Sequence, residues 1–425
     1  MSLGRVLVLV AAVALGAISA LLVVNLTPEA PLVRSVVPQE SAASDEQFQR
    51  TMSAFSDGAI SKGNAVQTLV NGDEIFPSML AEILEATSSV NFETYIYWSG
   101  TVGYDFARAL AGKARQGVKV RVLIDWVGSL PFDEELIRVM TDAGVKFVRF
   151  RPVHWYTLDR LNNRTHRKLL VVDGRVAFTG GVGIADKWLG DARTVDQWRD
   201  THYHITGPVV AAFQAAFAKN WLEATGEALL GEEFYPLLVS TGDLQAQLVV
   251  SSQPSGSENM ELMFLTAIAS AQRRIQIGMA YFVPDETALK QLVDARERGV
   301  DVEVIVPNHL TDVPIVRKGS RHFWGELLRA GVRIYEFQPT MYHPKLLIVD
   351  DVWTSFGSAN FDERSLRLND EASLNVYGRD FTATQIDIFN ADLKRSREIK
   401  LAEWEARPTF EKVTDWFAST LRSQL

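Results

Sequence analysis

His166-Arg167-Lys168-Leu169-Leu170-Val171-Val172-Asp173, followed by Gly180-Gly181-Val182-Gly183, returns later as His343-Pro344-Lys345-Leu346-Leu347-Ile348-Val349-Asp350 and Gly357-Ser358-Ala359-Asn360. In each copy a His and a Lys stand two apart at the head of an apolar β-run. Strand periodicity puts both side chains on one face, where they can converge on a single ligand. The four apolar residues read as a strand buried within a parallel sheet. Asp173 and Asp350 stand just past it, before a turn.

The text on either side repeats as well. The first copy reads as helix 76–86, strand 90–97, helix 106–116, strand 118–125, helix 134–142 and strand 145–150. The second reads as helix 260–271, strand 275–283, helix 287–298, strand 300–306, helix 323–330 and strand 332–337. Gly117 pairs with Gly299, Tyr95 with Tyr281 and Gly144 with Gly331, at offsets of 182, 186 and 187. Near-constant offsets over such a distance mark a duplication. Alternating helices and β-rich runs predict an α/β fold of two fused domains, related by a pseudo-twofold, with mixed and mostly parallel sheets. The expected boundaries are 64–242 and 243–425, with the join near Tyr235–Gln247. The stripe of Phe213, Phe217 and Trp221 just before it reads as core. From Pro152 to His166 is 14 residues and from Pro339 to His343 only 4. The first copy therefore carries an insertion with His154-Trp155-Tyr156, which either packs the loop or touches substrate.

Ahead of the repeats, Val6 to Val24 is uncharged, and at 1.5 Å per residue it matches the roughly 30 Å hydrocarbon core. A cleaved signal peptide is the alternative. Its one small-residue triplet, Ala12-Val13-Ala14, leaves too short an apolar core before it. The expectation is a single membrane anchor over 1–27. Arg5 before the run and Glu29, Arg34, Glu40, Asp45 and Glu46 after it lead to the expectation of a catalytic body on the extracytoplasmic side of the cell's inner membrane. Residues 28–63, rich in Pro, Ser, Ala and acids, read as linker.

The whole chain has 425 residues, a net charge of −9 and no cysteine. Its length suggests more than one core. Thiolate metal sites and a cysteine nucleophile are excluded. The acidity argues against nucleic acid as the partner, though a local basic pocket remains compatible with it.

Two His/Lys pairs suit a phosphodiester. Two ammonium groups neutralise the anion and its more negative transition state. One imidazole can attack phosphorus while the other protonates the leaving alkoxide and then deprotonates the acceptor. A nucleophilic imidazole needs a carboxylate on its other nitrogen. The candidates are Asp200, 34 residues after His166, and Glu371, 28 after His343. Two-step displacement of this kind requires no metal or other cofactor.

The doubled His-x-Lys-x4-Asp-x6-Gly-[Gly/Ser]-x-Asn pattern resembles the phospholipase D superfamily. Phe361 to Glu371, Arg317 to Arg321 and Leu327 to Glu336 resemble bacterial cardiolipin synthases and their close relatives, and the likeness runs from about Asn64 to Ser423. It implies that the two motifs meet at the interface of the domains. It further implies His166 as nucleophile and His343 as general acid and base. Lys168, Lys345 and Asn360 would hold phosphate, with Ser358 and Gly181 on the substrate side. Asp200 and Glu371 would orient the histidines, and Asp173 and Asp350, though members of the catalytic motif, would chiefly tie down the turn. Three departures stand out, the first being Pro344 inside the second motif, which lacks an N–H, so that its position must need no ladder bond. Gly183 occupies the place of the usual motif Asn, and there is room for one N-terminal span where some cardiolipin synthases have two.

Three functions compete on this reading. A phosphatidyltransferase would make cardiolipin from phosphatidylglycerol, an anionic lipid substrate held at the membrane. A hydrolase would release phosphatidate or cleave nucleic acid. A scaffold would leave the site inert. Oligomeric state is not encoded in any motif.

Overall fold

The computed structural model describes residues 4–7, 12, 15–16, 19–20, 33, 35–56, 58–153, 162–252 and 258–424. Most of the Val6–Val24 run lies outside these, as do His154, Trp155 and Tyr156. Among the described residues no helix is long and apolar enough to cross a membrane.

The first half contributes β1 (Ser61–Val70), α2 (Asn71–Glu85), β2 (Ser89–Thr94), α3 (Thr101–Arg115), β3 (Lys119–Asp125), α4 (Glu134–Thr141), β4 (Lys146–Phe150), β5 (Leu169–Val172), β6 (Val176–Gly180), β7 (Thr201–Thr206) and α5 (Val210–Thr225). In the second, β8 (Leu244–Ser251), α6 (Asn259–Ala269), β9 (Arg274–Met279), β10 (Phe282–Val283), α7 (Glu286–Glu297) and β11 (Asp301–Pro307) lead to α8 (Pro314–Arg329) and β12 (Arg333–Phe337). The motif strand β13 (Lys345–Val349) follows, with β14 (Trp353–Gly357), β15 (Phe361–Asp362), β16 (Glu371–Tyr377), α9 (Arg379–Leu393) and β17 (Ser396–Ile399). The chain closes with α10 (Leu401–Glu405) and α11 (Thr409–Ser419).

One sheet runs through both halves in the order β17-β12-β11-β9-β13-β14-β16-β8-β1-β7-β6-β5-β2-β3-β4. Read outward from the central β1–β8 junction, the order is the same on both sides, with β17 added at one edge. The duplication is therefore visible in the hydrogen-bonded ladder itself.

The expectation of mostly parallel pairing is corrected. Parallel neighbours in this sheet are confined to β2–β3–β4 and β9–β11–β12, where helices make the crossovers. The motif strands run antiparallel to their neighbours: β5 to β2 and β6, and β13 to β9 and β14. Short turns at Asp173-Gly174 and Asp350-Asp351 join β5 to β6 and β13 to β14. A connection that short can only form a hairpin.

The matched glycines have a local cause. Gly117 and Gly299 have φ of 92° and 89°. In each copy the glycine N–H and the next residue's N–H close back on the last helical carbonyls, from Gly117 to Ala114 and Val118 to Lys113, and from Gly299 to Arg296 and Val300 to Ala295. This left-handed helix end favours glycine over any residue with a Cβ.

Each motif strand divides its faces between two cores. Leu170 and Val172 pack into the first half's own core and Leu347 and Val349 into the second's. Leu169, Val171, Leu346 and Ile348 face a shared core with Tyr203, Phe213, Phe356 and Leu374. Alternation thus fixes which face carries the His and Lys.

The stretch expected as linker is not all linker. Helix α1 (Glu46–Phe55) buries Phe48 and Met52, one turn apart, in the second half's core. Phe48 meets the Trp353 ring edge-on at 6.0 Å, and its burial is worth about 2–3 kcal/mol. The polar residues around them, Glu46, Gln47, Gln49 and Arg50, disguise this helix in the sequence.

Candidate active site

At the start of β5, His166 and Lys168 share the face that carries Leu170 and Val172. Arg167 points the other way, fully buried. Its guanidinium donates to the carbonyls of Ala216 (3.0 Å) and Ser251 (2.8 Å) and to Ser252 Oγ (2.6 Å). Two of these acceptors belong to the second half, so the residue between the motif His and Lys clamps the halves together. Its counterpart Pro344 stands just before β13 and accepts through its carbonyl from the Ala280 N–H at 3.1 Å. No donor is needed there.

The carboxylates cross over. His166 Nδ1 lies 2.9 Å from Glu371 Oε1 and 3.1 Å from Oε2. His343 Nδ1 lies 2.8 Å from Asp200 Oδ2. Each half therefore orients the other half's imidazole. Reciprocal bridges put them there: Thr165 pairs with Asp370, and Arg199 with Tyr342. The His166 N–H donates to the Asp370 carbonyl (2.9 Å), and the His343 N–H to the Arg199 carbonyl (2.8 Å).

Each carboxylate has its own support. Trp188 Nε1 donates to Asp200 Oδ2 at 2.8 Å, and the rings of Trp188 and Trp198 each lie 5.4 Å from His343. On the other side the Ser358 hydroxyl donates to Glu371. Ser358, expected on the substrate side, thus has its hydroxyl engaged by the Glu371 carboxylate. Gly181 in the matching place serves differently, because a Cβ there would come within 2.2 Å of Asp200 Oδ1. A shorter acid against a glycine in one copy replaces a longer acid against a serine in the other.

Lys168 Nζ donates to the His166 carbonyl at 2.7 Å and lies 5.7 Å from the Tyr95 ring centroid. Lys345 Nζ donates to the His343 carbonyl at 2.8 Å and stands 3.1 Å from the imidazole nitrogens. Tyr95 packs edge-on to His166 at 5.1 Å, and Tyr281 faces His343 at 6.5 Å. The matched tyrosines, read from the sequence only as landmarks, each attend a motif histidine. Trp188 and Trp198 carried no sequence signal, because nothing repeats at their places in the second copy.

Burial dominates the electrostatics. It pushes His166 down to about 4, Lys168 down to about 7 and Lys345 down to about 8. Burial and the neighbouring Lys345 lower His343 as well. Burial opposes charge on Asp200 and Glu371, but the facing imidazoles and the donors Trp188 and Ser358 outweigh it and hold both below ordinary carboxylate values. Burial thus works against charge on both imidazoles and on both ammonium groups, while the carboxylates keep theirs. An arriving anion would raise every one of these basic groups.

Asp173 and Asp350, motif members expected chiefly to tie down the turn, stand apart from this constellation and bond backbone N–H groups instead. Both sit at the far ends of β5 and β13, with φ of 52° and 54°. Asp173 accepts from the N–H groups of Thr87, Ser88 and Ser89 at 2.7–2.8 Å. Asp350 accepts from those of Gln272, Arg273 and Arg274 at 2.6–3.0 Å. Asn360 is buried, and its amide oxygen has no partner among the described residues. At Gly183 a Cβ would sit 2.8 Å from that of Ile96. The side chain missing from this motif place has no room. Among the described residues no three His, Asp or Glu side chains group as metal ligands would.

Two stretches, residues 79–221 and 264–393, match the family described as "Cardiolipin synthase, PLD-like domain". The chain is 36% identical to a cardiolipin synthase of Geobacillus kaustophilus (strain HTA426) over 352 residues, covering 82% of this chain and 70% of that one. It is 38% identical to cardiolipin synthase A of Pseudomonas putida (strain GB-1) over 339 residues, 79% of this chain and 70% of the relative. Among solved structures, the phosphatidylserine synthase of Haemophilus influenzae Rd KW20 superposes with a TM-score of 0.66 at 15% identity, covering 89% of this chain and all of that one. At that identity the likeness speaks for the fold.

Proposed function

The chain belongs to the phospholipase D superfamily as a cardiolipin synthase-like phosphatidyltransferase, and from that premise we propose that it converts two phosphatidylglycerol molecules into cardiolipin and glycerol through a phosphatidyl-histidine. The observation that carries this reading is the crossed pairing of two motif imidazoles with carboxylates at Nδ1. A carboxylate there fixes the tautomer and leaves Nε2 as the reactive nitrogen.

In the first step the His166 Nε2 lone pair forms a bond to phosphorus. The bond from phosphorus to the glycerol oxygen breaks, and His343, protonated once the anion has bound, gives its proton to that oxygen. Neutral His343 then takes the proton from a head-group hydroxyl of the second phosphatidylglycerol. The hydroxyl oxygen bonds to phosphorus, and the N–P bond breaks. Lys168, Lys345 and Asn360 hold the phosphoryl oxygens throughout. His166 has the greater side-chain exposure of the two histidines, 12% against 6%, which suits the group that must reach phosphorus.

The Val6–Val24 run serves as an anchor that keeps the site at the lipid surface, with the catalytic body outside the cytoplasm. An alkaline-phosphatase fusion at the C-terminus should be active. An inactive one would place the body in the cytoplasm.

Incubating the purified full-length protein with phosphatidylglycerol, without added metal, should yield cardiolipin and glycerol in equal amounts by mass spectrometry. Phosphatidate as the sole lipid product would mean that water takes the phosphatidyl group, and the transferase reading would fail.

A further inference from the structure

Helix α11 is amphipathic in the wrong sense for a surface helix of a soluble protein. At 100° per residue, Phe410, Val413, Trp416 and Phe417 fall within an arc of about 120°. All four are exposed, between 55% and 77%. The inward face is polar: Glu411 pairs with Arg321 at 2.9 Å, and the buried Asp415 with Arg407. Isolated exposed apolar residues are ordinary, but four large ones on one helix face mark an interaction surface. Ile315, at the start of the adjoining α8, is also exposed.

Position identifies the partner. Leu421, just past α11, packs with Val283 and Val316. Arg422 pairs with Glu286 at 3.1 Å and with Glu363 at 3.2 Å. Val283 and Glu286 follow the end of β9, whose last residue, Met279, is the ladder partner of Lys345. The helix therefore ends at the catalytic edge of the second half. The N-terminal segment arrives at the same place. Val37 exchanges hydrogen bonds with Gln291, and Thr287 Oγ1 donates to the Val33 carbonyl, one residue from Glu286. Val33 stands only nine positions after Val24, the last of the apolar run. Fully extended, that stretch reaches about 30 Å.

We infer that α11 is a membrane-docking helix, whose Phe410, Val413, Trp416 and Phe417 enter the head-group boundary of the bilayer beside the catalytic opening. Aromatic and branched apolar side chains on a helix with a polar opposite face are suited to that depth. The choice of a lipid surface as partner rests on the lipid-substrate reading above, but its test does not depend on turnover.

The natural chain has no cysteine, so Phe417→Cys in the full-length protein takes a single environment-sensitive fluorophore. Leu237→Cys is the control. Leu237 is 81% exposed and its carbonyl accepts from Arg175 in the β5–β6 turn, at the end of the strands away from the histidines. In phosphatidylglycerol/phosphatidylethanolamine nanodiscs, spin-labelled lipid should quench the label at 417 by about half and aqueous iodide should barely touch it, with the reverse at 237. Iodide quenching at 417 equal to that at 237 would overturn the inference. So would shielding from both quenchers, which would mean that a protein surface, its own apolar run or a second copy, covers the helix. A Trp416→Ser/Phe417→Ser double variant should lose about tenfold in activity on vesicles and keep its activity on monomeric short-chain phosphatidylglycerol. Equal activity on vesicles would also count against docking. A bilayer-quenched label on a protein that makes no cardiolipin would leave the docking intact and sink the proposed function alone.

Discussion

His166→Ala should lower cardiolipin formation by about ten-thousand-fold or more, because removing a covalent nucleophile closes the two-step route altogether. His343→Ala should cost about as much with phosphatidylglycerol, since glycerol is a poor leaving group without a proton. The two variants should separate when the donor is a phosphatidyl ester of p-nitrophenol. That leaving group departs without help, so His343→Ala should release a burst of nitrophenol and accumulate the phosphatidyl-enzyme. His166→Ala should release none. A burst from His166→Ala and none from His343→Ala would reverse the two roles. A fully active His343→Ala enzyme would overturn the paired-site mechanism.

Glu371→Gln and Asp200→Asn should each lower kcat by about two to four orders of magnitude and leave KM nearly unchanged, because an amide cannot hold the imidazole tautomer or stabilise its cation. The pH profiles should tell them apart. Each carboxylate raises the pKa of the histidine it faces, so its loss lowers that pKa. In Glu371→Gln the acidic limb, where His166 takes up a proton and stops being a nucleophile, should move to lower pH. In Asp200→Asn the basic limb, where His343 loses the proton it must donate, should move to lower pH. If Glu371→Gln shifted the basic limb instead, the assignment of carboxylates to roles would fail, even with both residues essential.

The doubled His and Lys were legible because strand periodicity and a near-constant offset are local facts. Glycines 117 and 299 were legible for the same reason, since a left-handed helix end leaves a residue-type signature. The crossing of Asp200 and Glu371 was not. Each acid follows the histidine of its own copy at a similar distance, and only the contact between halves reveals that it serves the other. Strand direction at β5 and β13 is hidden in the sequence because an apolar run reads alike in parallel and antiparallel sheets. The deciding feature was the short turn at Asp173 or Asp350. Helix α1 was hidden in an acidic stretch where two buried side chains, Phe48 and Met52, carry the packing. Trp188 became a site residue only through the chain path that brings it to Asp200.

The reciprocal bridges at Thr165–Asp370 and Arg199–Tyr342 have a consequence for how such a chain can change over time. After a duplication, one copy is ordinarily free to drift while the other keeps the function. Here a substitution at Asp200 is felt at His343, and one at Glu371 at His166, so neither copy holds a complete set of parts to fall back on. Change is then tolerated where a residue is answered within its own copy, as at Gly181 and Ser358. Where the answer lies across the seam, as for the two histidines, a loss in one copy has no substitute within the other. The two halves are bound to a common history in the way that two genes for an obligate heterodimer would be, although a single chain encodes them.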